Sequence, residues 1–184
     1  YFHVKSKVKF YYQFLTNTLL MNIFYVHKDP AHAAMCLPDK LVVKMPLETA
    51  QMLSTAQRVY NGEDWCDLNG IYKKAYLNHP CTIWARETVQ NYKWLYYHFF
   101  ALCKEYETRY GREHLSFTKL NDKLCLAPMG MPDVGKTTMP QAMPDQYKNP
   151  DPVKAYRDYV VNEKHYAQWN KIPDRQPDWW QRAS

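Results

Sequence analysis

From about Thr88 to Tyr110 the residues Tyr92, Leu95, Phe99, Leu102, Tyr106 and Tyr110 recur at three- and four-residue steps. That spacing lays one continuous apolar face along a helix and is incompatible with a strand, whose side chains alternate. Gly111 follows Arg109 and Tyr110, so a left-handed stop and a cation near the negative helix end terminate the element. A second stripe, Leu41, Met45, Met52, Thr55, Ala56 and Val59, predicts another long helix from about Asp39 to Tyr60, with Asp39 as its cap. Pro46 lies inside it, which predicts a kink or a regular helix delayed until Met45. Asp151-Pro152 orders a cap and a proline correctly for a third helix over 152–169. Val153, Tyr156, Val160, Lys164 and Ala167 mark its face.

The fold class that follows is mainly α: one compact helical domain with a short N-terminal strand and an irregular Pro/Met-rich arm. Ile23–His27 is the β-prone run. Asp29-Pro30 starts a short helix that Pro38 ends, Gly62–Gly70 reads as a loop, and Ser116–Leu124 as a short helix. Residues 126–150 carry Pro128, Pro132, Pro140, Pro144 and Pro150, which forbid a regular helix there, so the segment is expected to pack as an arm through its Met and Pro side chains. At 184 residues the chain suits a single core. Residues 1–20 are expected to be an extension outside the core and 21–184 the domain. Lys5, Lys7 and Lys9 before Phe10–Leu20 imitate a signal peptide, but polar residues interrupt the apolar run and no small-residue cleavage site follows. The same stretch is too short and polar for a membrane span.

A net charge of +6 fits a polyanionic partner without requiring one. Aromatic content is 16%, with 16 Tyr and six Trp, which suits wet concave surfaces as well as cores. Cys36, Cys66, Cys81, Cys103 and Cys125 form no C-x-x-C pair, which excludes a zinc ribbon and fits a cytoplasmic protein with buried thiols. The histidines show no ligand spacing joined to carboxylates, so neither metal nor cofactor is expected.

Gly130–Thr137 matches the phosphate-loop pattern G-x-x-x-x-G-K-T letter for letter. The pattern works only between a buried strand and a helix whose amides hold phosphate, and Pro128, Pro140 and Pro144 deny both. Glu48 falls on the inward stripe of its helix, where an ionised carboxylate is costly unless paired. It is either a structural partner of an arginine such as Arg86 or an acid–base group facing a cleft, with Lys44 on nearly the same side. His79, Arg86, Glu87 and Asn91 form a second polar cluster beside Trp84, Tyr92 and Trp94. His79-Pro80 fits a helix entry. Arg86, Asn91 and Trp94 fit phosphate and base-stacking contacts, or the aromatics belong to the core. Arg157, Lys164 and Lys171 extend a basic face or solvate it.

Four stretches together, Asp39–Leu53, His79–Gly111, Ala142–Asp145 and Ala155–Tyr159, resemble a family of phage and bacterial proteins. The resemblance covers nearly the whole chain from Met21. That family is in turn similar to the phage pyrimidine-dimer DNA glycosylases, small helical enzymes in which an Asp-x-His precedes the catalytic Glu by a fixed gap. The same gap joins Asp39 to Glu48, with Leu41 in place of the His. The resemblance implies a DNA-repair glycosylase/lyase acting on double-stranded DNA, with Glu48 as its catalytic carboxylate. The glycosylases attack the damaged sugar with an N-terminal α-amine exposed after loss of Met. Here Asn22 follows Met21 and twenty residues precede it, and Lys44 is the amine the sequence offers instead. A non-catalytic nucleic-acid-binding protein of the same fold is the alternative, and a phosphoryl-transfer enzyme built on Gly130–Thr137 a second one.

Overall fold

The computed structural model describes residues 21–181; the expectation for residues 1–20 lies outside them. Among the described residues seven helices and no strand are present: α1 Pro30–Met35, α2 Asp39–Asn61, α3 Glu63–Leu68, α4 Pro80–Ala85, α5 Val89–Tyr110, α6 Leu115–Leu124 and α7 Pro152–Glu163. Short 3₁₀ turns occur at Asp145–Tyr147 and Pro173–Arg175. No helix is long and apolar enough to cross a membrane, again among the described residues.

The two long amphipathic helices, α2 and α5, pack along each other; α1 lies on α5, while α4 and α6 lean on α2. Their seam holds Met45, Met52, Leu53 and Ala56 against Tyr92, Leu95, Phe99 and Leu102, all buried. Thr88 caps α5 by accepting from the Asn91 amide, and Gly111 closes it at a φ of 68°. Tyr92 crosses the seam, its hydroxyl accepting from the Gln57 amide and donating to the Leu124 carbonyl.

Several local expectations are corrected. Helix α2 is not delayed by Pro46: it starts at Asp39 and runs unbroken to Asn61. Asp39 does not cap it. Pro38 stands at the cap position, and the Asp39 carboxylate is taken by Arg109 (3.0 Å) and the Lys171 amide (3.1 Å). The run at Ile23–Val26 is buried but forms no strand, because the described chain offers no second strand to pair with. A local turn takes its place: Asn22 Oδ1 accepts from the Ile23 and Phe24 amides, and Phe24 adopts a φ of 53°. Glu63–Leu68 is a helix where a loop was expected, with Glu63 and Asp64 in its first turn complementing the helix dipole. Helix α7 ends at Glu163 rather than 169. The Pro-rich segment does form an arm, with Met131, Met139 and Met143 buried, although Met129 stays exposed.

Candidate active site

Helix α2 carries Glu48 to the edge of the core, where its residue is 6% exposed. One carboxylate oxygen receives the Lys44 ammonium at 2.7 Å, one helical turn away. The other accepts from the main-chain nitrogen of Asn22 at 3.3 Å. Arg86 is not its partner, as the structural reading of Glu48 supposed: the Arg86 guanidinium donates to the Leu77 carbonyl at 2.7 Å. Burial pushes the Glu48 carboxyl above the ordinary carboxylate range, outweighing Lys44 and the Asn22 amide. Such a carboxyl holds a proton more readily than a surface glutamate does, which suits acid–base work.

Glu48 and Lys44 line a cleft of about 410 Å³ with Gln51, Tyr72, Tyr76 and His114. Val43, Leu47 and Leu115 on its rim are exposed apolar side chains. The segment between α3 and α4 delivers the two tyrosines, and two arginines clip it down. Arg58, its side chain 1% exposed, donates to the Ile71 and Tyr72 carbonyls and pairs with Glu63 and Asp67. Arg86 holds Leu77 at the far end, and Thr55 bridges Ala75 to α2. The cleft wall is thus built on buried, satisfied polar groups.

The remaining residues singled out in the sequence lie apart from the Glu48 cleft. His79 is buried and caps α4, its Nδ1 accepting from the Cys81 amide. Asn91 is wholly buried; its amide donates to Trp84 and Thr137 and accepts from the Thr137 nitrogen, tying the arm to α5. Trp94 is 7% exposed, bonded to the Lys28 carbonyl and stacked on His98. Arg157 is partly exposed, bonds the Val26 carbonyl and lies over the Trp179 ring, in a separate cavity of about 470 Å³ that also holds His27, His32 and Arg175.

The phosphate-loop pattern has none of its required surroundings, since residues 126–144 contain neither strand nor helix. Lys136 instead lies over the Tyr25 and Trp94 rings and donates to the Tyr25 hydroxyl. Among the described residues no group of three His, Cys, Asp or Glu side chains could hold a metal. Four of the cysteines are buried and Cys125 is exposed; all are free.

The sequence reading missed Asn22. Its side chain builds the Phe24 turn and donates to the Ala142 carbonyl, while its main-chain nitrogen meets Glu48 from 26 residues away. The run beginning at Met21 was the available signal, because the resemblance to the phage and bacterial family extends back to it. A family model described as pyrimidine dimer DNA glycosylase matches residues 21–118, more than half of the chain. No curated protein and no solved structure matches it.

Proposed function

The chain belongs to the pyrimidine dimer DNA glycosylase family, and on that premise we propose that it removes a damaged pyrimidine from duplex DNA by amine-assisted chemistry, with Glu48 as the catalytic carboxylate. The observation that carries this reading is the setting of Glu48. It is nearly buried, its carboxyl is raised by that burial, and it sits in an open cleft between an ammonium and a main-chain nitrogen. Glu48 delivers and removes protons as the glycosidic bond breaks. Lys44 is its catalytic partner, holding the carboxylate in place and offering positive charge to the strand. Tyr72 and Tyr76 give the cleft ring faces against which an extruded base stacks. Of the predicted nucleic-acid contacts, Arg86 and Arg157 are only partly buried and are the two left to meet phosphates, whereas His79, Asn91 and Trp94 are buried and bonded within the fold and make no such contact.

A duplex carrying one cyclobutane dimer, treated with borohydride, tests this reading. The wild type should bind it with an affinity that falls as salt rises, cleave it, and yield a trapped covalent adduct. Glu48→Gln should bind as well or better and lose both cleavage and adduct. Salt-sensitive binding without cleavage or adduct in the wild type would make the chain a DNA-binding protein of this fold. If the wild type does not bind and Glu48→Gln unfolds, Glu48 is structural.

A further inference from the structure

The cavity of about 470 Å³ shares no lining residue with the Glu48 cleft, and part of its wall comes from beyond the residues that match the family model. His27 and His32 come from the segment leading into α1 and from α1 itself, Arg157 from α7, and Arg175 and Trp179 from the C-terminal tail. Both arginines are anchored through Nε. Arg157 Nε donates to the Val26 carbonyl at 2.9 Å, and its guanidinium lies 5.4 Å from the centre of the Trp179 ring. Arg175 Nε donates to Glu105 at 3.0 Å. Among the described residues no acceptor meets the Nη atoms of either, so two guanidinium forks are left for the cavity that these residues line.

The histidines add donors to the same wall. His27 Nδ1 accepts from the Asp29 main-chain nitrogen at 3.0 Å, so the proton of the neutral ring sits on Nε2. The His32 ring lies 4.3 Å from it, centre to centre. The electrostatic surroundings are positive. Burial raises the Cys36 thiol on this wall, and the charges that oppose the rise are those of Arg157, Arg109 and Arg175. Glu105 is one carboxylate shared between Arg109 and Arg175. Asp174 and Asp178, the acidic residues of the lining, are both exposed.

We propose that this cavity binds the terminal phosphate of a phosphomonoester, carried either by a free nucleotide or by the 5′ end of a DNA strand. A guanidinium fork takes two phosphate oxygens at once, which an ammonium cannot do. A phosphomonoester carries close to two negative charges at neutral pH and three terminal oxygens, enough for both forks and for His27 Nε2. An internucleotide phosphate carries one charge and two such oxygens, and its chain continues on both sides. The volume lies within the range of small-molecule pockets, roughly 300–1,000 Å³, and leaves room for the sugar behind the phosphate. The inference does not rest on the chemistry assigned to Glu48, which lies in the other cleft.

Calorimetric titration of the full chain tests it, with thymidine 5′-monophosphate, thymidine and a thymidine dinucleoside monophosphate as probes. The monoester should bind, and thymidine and the diester should not. Arg157→Lys keeps the charge and removes the fork, so it should weaken the monoester about tenfold or more, with an unchanged melt. Arg175→Lys should do the same, and it carries the test if the first variant fails to fold. An oligonucleotide with and without a 5′-phosphate separates the two sources: a gain from the phosphate, beyond the affinity of the free monoester, assigns the site to strand ends. Equal binding of the two oligonucleotides, beside a bound monoester, assigns it to free nucleotides. A wild type that takes up neither monoester, thymidine bound as tightly as its phosphate, or affinity unchanged in both lysine variants overturns the proposal. A diester bound as tightly as the monoester also overturns it, and returns Arg157 to internucleotide phosphates. None of these results alters the glycosylase reading, which the dimer duplex and Glu48→Gln decide.

Discussion

Two nearly buried carboxylates stand on the two long helices, Glu48 on α2 and Glu105 on α5, and the fold treats them differently. Glu105 accepts from Arg109 at 2.9 Å and from Arg175 at 3.0 Å. Arg109, its side chain fully buried, spends its remaining donors on Asp39 and on the Leu37 and Met35 carbonyls. That cluster ties α1, α2, α5 and the C-terminal tail together. Glu48 has one main-chain donor and one lysine that is half in solvent, and a cleft opens beside it. A buried charge whose partners are all planted in the fold belongs to the scaffold. One whose partner is half in solvent and beside which a cleft opens is the candidate for chemistry.

The comparison breaks most easily at Arg109. Arg109→Ala leaves Glu105 and two carbonyls without their buried donor, so urea unfolding should show a loss of about 3–5 kcal/mol. A loss under about 1 kcal/mol would mean that the cluster is no more structural than the Glu48 pair.

The next effect belongs to His98, which sits wholly buried on the α1–α5 seam with its Nδ1 against the Pro30 carbonyl. Burial holds its pKa down to about 4, so the fold needs the neutral ring. Its contribution is complete above the unfolded value near 6.5 and is lost as pH falls through about 4, amounting to about 3 kcal/mol at most. Melting the wild type and His98→Gln between pH 7 and 4 checks this. The acid-side decline should shrink in the variant, and equal slopes would remove His98 from the scaffold.

These structural groups were legible in the sequence to different degrees. Helices α2 and α5 could be read from the spacing of Leu41–Val59 and Tyr92–Tyr110, because helix period, caps and the Gly111 stop are local properties. The inward position of Glu48 followed from the same periodicity. Its partner did not: an arginine such as Arg86 was the expected structural partner, but the path of the loop after α3 sends Arg86 to Leu77 and leaves Glu48 to Lys44. The Ile23–Val26 run has strand-forming residues, and only the absence of a pairing edge in the described chain makes it a buried turn. Lys164 looked like one more surface cation, since the end of α7 and the turn at Phe24 decide which rings it meets.

Lys136 offers a smaller test. Its ammonium rests over two rings and donates to Tyr25, at 3.2 Å, so Lys136→Ala should cost about 1 kcal/mol in urea unfolding. Nucleotide binding that vanishes in the variant would instead restore the phosphate-loop reading.

The smallest effect is expected where the site reading is strongest. Glu48→Gln keeps an oxygen for the Asn22 amide and gives up an ion pair whose lysine is half-exposed, so stability at neutral pH should change by less than about 1 kcal/mol. The sign follows from linkage. Because burial raises the Glu48 carboxyl above its unfolded value, the folded state binds more protons between the two values, and stability contributed at this position falls as pH rises through that window. Glutamine has no such dependence. The wild type should therefore gain on the variant as the pH is lowered from 7 toward 4, the opposite of the His98 effect, so the comparison is best made in a His98→Gln background. A loss of several kcal/mol at neutral pH, equal to that expected for Arg109→Ala, would place Glu48 with Glu105 among the scaffold charges and count against the catalytic role proposed for it.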